Sequence, residues 1–179
     1  EMRKLRLLNA AHSFLAYAGL LAGHRYVHEA MADPALRASV ERLWDEAQAT
    51  LPEAVLSTTP AYRAALVERF AVTEMRHELA QIACDGSLKL HERVLPLIAG
   101  LDDAPQARQA IAAWIAFVLR RRDTGEALRD PNADRIANLV EDNPSTRALC
   151  QALSGLIGLP KASSDWFDKL ASEVVRLRG

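Results

Sequence analysis

The sequence predicts an all-α fold of about eight helices around one long buried element, and three observations predict it. Apolar residues recur at helical rather than alternating spacing between the breaks made by glycine and proline. No stretch alternates convincingly enough to read as a strand. Residues 111–119 are apolar nearly all round, the mark of a helix enclosed by its neighbours.

Taken in order, the first helix is expected over residues 2–22 and stops at Gly23, a glycine of the type that ends helices in the left-handed conformation. A short helix follows through Met31. Asp33-Pro34 offers an N-cap with proline in the first helical position, and that helix ends before Pro52. Thr59-Pro60 and Asp130-Pro131 are read as the same device. A helix is expected to open in residues 73–77 and close at Asp85-Gly86. Ser87 then caps one that runs to Gly100, and residues 103–105 start the next. Residues 122–127 read as a turn-rich loop. The last helix starts near Ser163-Ser164, with Trp166, Phe167, Leu170, Val174 and Val175 at core spacing.

At 179 residues, with 50% hydrophobic and 25% charged, the chain has the length and composition of one globular domain. A formal charge of -1 gives no electrostatic reason to expect a nucleic-acid or membrane partner. The short basic runs, arginines 120–122 and Arg176 with Arg178, read as helix-end charges. Cys84 and Cys150 are too few for a disulfide framework, so reduced, buried thiols in a cytoplasmic protein are expected. The chain opens at Glu1 inside an amphipathic pattern with no cap before it, as a piece cut from something longer would.

The glycines never take the spacing of a dinucleotide or phosphate loop, and neither a zinc-protease nor a nucleophile-elbow motif occurs. His24 and His28 stand one turn apart and could grip a metal, but no third ligand is in reach, so a half-exposed helix face is the better reading. His77 and His91 stand alone, with His77 placed just before a second polar cluster. That cluster runs from Gln81 to Lys89. A lysine in a first helical turn opposes the dipole, which hints at a ligand carrying negative charge.

The first helix carries the sharper pattern. At about 100° per residue, with Lys4 at zero, His12 falls near 80° and Asn9 near 140°. Leu5 lies between them, so this side is not simply the solvent stripe. A half-buried lysine beside a histidine has the lowered proton affinity of a general base. Asn9 and His12 can hydrogen-bond an oxygen of a substrate. A surface lysine with a satisfied core histidine would look the same.

Lys4-x4-Asn9-x2-His12, inside KLRLLNAAHSFLAYAGLLAGHRYVHEAMADP, resembles the C-terminal domain of the mannitol dehydrogenase family of polyol dehydrogenases and hexuronate reductases. The likeness continues through Leu66-Val-Glu-Arg69-Phe70, the run from Gln81 to Leu90, Ala112-Ala-Trp114, and Asp123-Thr-Gly125 followed by Asp130-Pro131. The resemblance implies a helical domain like the C-terminal part of 6-phosphogluconate dehydrogenase, filling residues 1–179. It implies Lys4 as general base, Asn9 on the developing oxyanion and His12 on a neighbouring hydroxyl. Lys89, Gln81 and His77 would contact the rest of the substrate, a sugar alcohol or hexuronate. NAD or NADP would be bound by an N-terminal Rossmann domain, which this sequence does not contain, and no metal would take part. Gln81 replaces an arginine of mannitol-type members, which tilts the substrate towards fructuronate and mannonate. This chain alone is then expected to transfer no hydride. Two rival expectations are a non-catalytic helical interaction module on the same scaffold, and a metal-binding protein using His24 and His28.

Overall fold

The computed structural model describes residues 1–101, 103–159 and 162–179. It is all-α, with helices α1 (Ala10–Leu21), α2 (Val27–Ala32), α3 (Pro34–Ala49), α4 (Glu53–Leu56), α5 (Thr59–Ala71) and α6 (Leu79–Ile82), followed by α7 (Gly86–Arg93), α8 (Leu95–Ala99), α9 (Pro105–Thr124), α10 (Ala133–Asp142), α11 (Thr146–Leu156) and α12 (Ser164–Arg178). A π-helical segment, Lys4–Asn9, leads directly into α1. Among the described residues the only strand-like pairing is one antiparallel bridge between Tyr26 and Glu78.

The long element is α9, and every residue from Ile111 to Leu119 is buried, as the apolar run predicts. It packs on α1 along one side and on α12 along another, while α3 closes over both α1 and α9. Ala10, Ala11, Ala16, Ala110, Ala112, Ala113 and Ala116 are all fully buried. Small side chains let helix axes approach closely, and Phe14, Tyr17, Trp44 and Trp114 fill the space they leave. The group α10, α11 and α12 forms a subsidiary layer, with α11 lying on α12.

The caps explain where helices start, and several are not local. Asp33 accepts from the N–H groups of Ala35 (2.8 Å) and Leu36 (3.3 Å), and Ser163 from that of Trp166 (3.1 Å), as the sequence predicts. Gly23 ends the first helical stretch at φ +88°. The start of α9 is instead capped from α3: Glu46 accepts from Gln106 N–H (2.7 Å) and Ala107 N–H (2.9 Å). Burial pushes the Glu46 carboxyl up from its ordinary range, and these two donors pull it back. Arg120 serves the other end of the core pair by donating to the carbonyl of Leu20 at the end of α1 (2.9 Å).

Several sequence expectations need correction. Thr59 lies inside α5 and donates back to the carbonyl of Val55 (2.8 Å), so it is no cap. Residues 73–77 form turns and an extended piece, because Val27 N–H donates to the His77 carbonyl (3.0 Å) and Leu79 N–H to that of Arg25 (3.0 Å). The helix expected over residues 87–100 breaks at Val94, where Pro96 follows in the first turn of α8. Residues 122–124 continue α9, and the turn comes only at Gly125. Val175 is exposed, whereas Leu170 and Val174 are buried. Cys150 is buried and free, and Cys84 is half-buried and free.

Two predictions follow from this packing. Glu46→Ala strips the start of α9 of two charge-assisted acceptors and should cost about 1–2 kcal/mol in equilibrium denaturation. Trp44→Phe keeps most of the apolar volume but removes the indole N–H that donates to Leu7, and about 1 kcal/mol should go with that bond. An unchanged denaturation midpoint in either variant would remove that contact from the account.

Candidate active site

The segment from Lys4 to Asn9 is not α-helical. Ala10 N–H reaches back to the carbonyl of Leu5, five residues away, as well as to that of Leu7. Bonds of this span widen the turn beyond the α-helical 3.6 residues, so residues five apart stand almost above one another. Lys4 and Asn9 are such a pair. They are therefore closer in angle than the regular helix of the sequence reading places them. From α3, Trp44 donates to the Leu7 carbonyl (3.0 Å), and Arg6 donates to the Thr50 carbonyl. The indole donates to a backbone group of the irregular turn, and Arg6 ties the segment to the end of α3.

Lys4 is exposed, which corrects the expectation of a half-buried lysine. Asn9 and His12 are half-buried. His12 sits one turn into the α-helical part, its ring 4.8 Å from that of Phe70 and 5.3 Å from that of His77, centre to centre. Phe70 in turn stacks against Trp44 at 6.3 Å. The aromatic line that anchors the π segment thus also sets the place of His12. Burial lowers the His12 imidazole from 6.5 to about 3, with His77, Arg69 and Arg93 adding repulsion. At neutral pH it is an uncharged ring with one donor and one acceptor nitrogen.

Lys89 lies on α7, which packs directly against the π segment. Its Nζ donates to the carbonyl of Ile82 (3.1 Å) and stands 4.0 Å from the Asp85 carboxylate. The lysine that looked unfavourable in a first turn is therefore balanced by protein groups, and no ligand is required to explain it. Ser87 is not an N-cap but lies within the first turn of α7.

The structure brings His12, His77 and Phe70 together and lays the helix of Lys89 against the segment of Lys4 and Asn9. Gln81 is placed differently. It is exposed and lines a separate cleft of about 380 Å³ with Cys84, Phe117, Arg121 and Arg129. A further groove of about 430 Å³ between the end of α9 and α10 contains none of the candidate residues. Beside His12 and His77 the chain encloses only about 10 Å³. The chemistry, rather than the size of the hollow, singles out the Lys4–Asn9 face.

Val72 and Met75, both exposed, line the crevice of His12.

Arg93 was missed from the sequence. It donates to Ser13 Oγ (3.3 Å), and its charge bears on His12. The available signal was its spacing, one turn after Lys89 on the same helix. His24 and His28 do not share a helical turn: His24 precedes α2 and meets Asp33 (3.2 Å), while His28 stacks on Tyr26. His91 is held by the Ile157 carbonyl (2.9 Å). Among the described residues no group of three or more His, Cys, Asp or Glu side chains is arranged to hold a metal ion. Nor is any described helix long and apolar enough to cross a membrane.

The chain is similar to known proteins over most of its length. The family model of the mannitol dehydrogenase C-terminal domain matches residues 1–155. A mannitol 2-dehydrogenase of Phaeosphaeria nodorum is 33% identical over 162 residues, which is 87% of this chain and 28% of that protein. The D-mannonate oxidoreductase of Escherichia coli K12 is 36% identical over 135 residues, 72% of this chain and 27% of that protein. Among solved structures, the ternary complex of Pseudomonas fluorescens mannitol 2-dehydrogenase with NAD and D-mannitol matches with a TM-score of 0.79. The two are 26% identical, over 99% of this chain and 37% of the other. The chain spans roughly a third of the length of these relatives. It belongs to the mannitol dehydrogenase family and corresponds to the family's C-terminal domain.

Proposed function

We propose that this domain supplies the substrate-binding and acid–base half of an NAD(P)-dependent oxidoreductase. The enzyme would interconvert a secondary alcohol of a polyol or aldonate with the ketone of a ketose or keto-hexuronate. The observation that carries the reading is the π-helical turn, which brings the positions of Lys4 and Asn9 closer in angle than a regular helix would, in a chain of the mannitol dehydrogenase family.

In this reading Lys4 Nζ, as the free amine, takes the proton of the reacting hydroxyl. The Asn9 amide donates to the same oxygen as negative charge gathers on it. Neutral His12 bonds a neighbouring hydroxyl without placing a second cation beside Lys4. His77 adds a bond at its edge, and Lys89, with three donors and one used on Ile82, reaches a more distant oxygen. In the reverse direction Lys4 returns the proton to the alkoxide. No metal is invoked.

The dinucleotide fits no feature of the described residues. They offer no glycine-rich loop after a strand, and the start of α7, the helix beside the site, is filled by the Asp130 carboxylate. In this proposal a Rossmann domain elsewhere in a longer protein would hold NAD(P), as the hydride acceptor; the complex of the similar mannitol 2-dehydrogenase contains NAD. The exposed Val72 and Met75 beside His12 support a covered face there.

Fructuronate and mannonate are slightly favoured over fructose and mannitol. The resemblance implies arginine at the position of Gln81 in mannitol-type members, and D-mannonate oxidoreductase is among the similar relatives, beside mannitol 2-dehydrogenases. The test is a substrate screen on the protein encoded by the full gene, with fructuronate, tagaturonate, fructose and xylulose and with both cofactors. Turnover with one of these substrates should fall by about 10²–10⁴ in Lys4→Ala, the scale of general-base catalysis. A rate left intact by Lys4→Ala would remove Lys4 as the base. No turnover with any of the four would favour a non-catalytic module.

His12 gives an independent test. Its folded value lies below its unfolded one, so the unfolded chain binds the extra proton over the window between them. The resulting stability is present above 6.5 and is lost as pH falls towards 3. An NMR titration should find the imidazole neutral far below pH 6.5, and a midpoint near 6.5 would contradict the burial described here.

A further inference from the structure

Asp85, which precedes α7, has a left-handed backbone (φ +59°), and its side chain caps nothing. The free N–H groups at the start of α7 are met by a residue 43 positions away. Asp130 accepts from the Ser87 backbone N–H (2.8 Å) through one carboxylate oxygen and from Ser87 Oγ–H (2.6 Å) through the other. The second oxygen also accepts from Asn132 N–H (2.9 Å), and Asn132 Nδ2 donates to Ser87 Oγ (2.8 Å). Asp85 N–H donates to the Arg129 carbonyl (2.9 Å). The loop before α10 thus does not cap its own helix, as its Asp-Pro pair suggests from sequence. It clamps α7 instead.

The opposite side of the same turn is fixed by contact. A Cβ on Gly86 would stand 2.5 Å from Tyr17 Oη and 2.7 Å from Trp114 Nε1, so the backbone lies directly on α1 and α9. Ser87 is buried. Lys89 follows within that turn, its N–H bonded to the Asp85 carbonyl (3.0 Å). A carboxylate at the start of α7 also offsets the cost of a cation there.

We propose that Asp130 is a positioning residue for substrate binding: by clamping Ser87 it fixes the first turn of α7, and with it Lys89, against the segment of Lys4 and Asn9. The inference rests on the proposed role of Lys89. Without the clamp α7 keeps its buried Leu90 and its contact with α1, but its first turn is free to fray. The loss then falls on substrate affinity and not on the cofactor.

The experiment uses the protein encoded by the full gene and compares Asp130→Asn, Ser87→Ala and the double variant by steady-state kinetics. Each single variant should raise the KM for the polyol or keto substrate about tenfold, the scale of one charge-assisted hydrogen bond. The KM for the dinucleotide should stay unchanged. The double variant should be no worse than the poorer single one, because both remove the same clamp. Ser87→Ala is the gentler change and decides the matter if Asp130→Asn does not fold. A lowered Tm with an unchanged substrate KM would make the clamp purely structural and overturn the proposal, as would additive effects. Lys89→Ala separates the two layers. If it raises the substrate KM while the clamp variants do not, only this inference fails. If it leaves KM unchanged, the role of Lys89 fails and the clamp has nothing to position.

Discussion

The hydrogen bond from the Trp44 indole to the Leu7 carbonyl anchors the segment on which the proposed chemistry rests. A π-helical turn is less favourable than an α-helical one and persists where other groups satisfy what it exposes. Here α3 supplies such a group through Trp44, and the Arg6 side chain ties the segment to the Thr50 carbonyl at the end of α3. The same indole stacks on Phe70, and Phe70 lies against His12. One buried tryptophan therefore joins the irregular backbone under Lys4 and Asn9 to the ring that completes their pattern. The widened turn, rather than a regular helical face, brings these two positions closer in angle.

The opposing wall is built by different means. Helix α7 starts where Gly86 touches α1 and α9, and Asp130 holds its first turn from a loop distant in sequence. Both devices act on backbone groups, so they place Lys89 without using its own side chain. Lys89 is left half-buried, with one donor on Ile82, and Lys4 is left exposed. Such a face has positioned functional groups but little desolvation. Val72 and Met75 beside His12 are exposed, and the chain spans roughly a third of the length of its relatives.

The sequence made the all-α class legible, together with the buried run 111–119 and the caps at Asp33 and Ser163, because each depends on a local pattern. The spacing of Lys4, Asn9 and His12 was legible for the same reason. What escaped was non-local. Asp130-Pro131 has the form of a helix start, yet its carboxylate serves Ser87 across the fold. Glu46 caps α9 from α3, so the start of α9 carries no capping residue of its own. The π turn has no local signature, because the donors that stabilise it lie on α3. His77 was placed in a helix because residues 73–77 look helical, and the pairing of Val27 with His77 prevailed.

The central claim is that Lys4 and Asn9 meet the reacting oxygen together from one widened turn. A crystal structure of the full gene product with dinucleotide and a bound polyol or aldonate tests it most directly. The account predicts Lys4 Nζ and the Asn9 amide both within about 3.2 Å of the hydroxyl oxygen being oxidised, with the π turn retained. A complex in which another side chain contacts that oxygen, while Lys4 points to solvent, would contradict it.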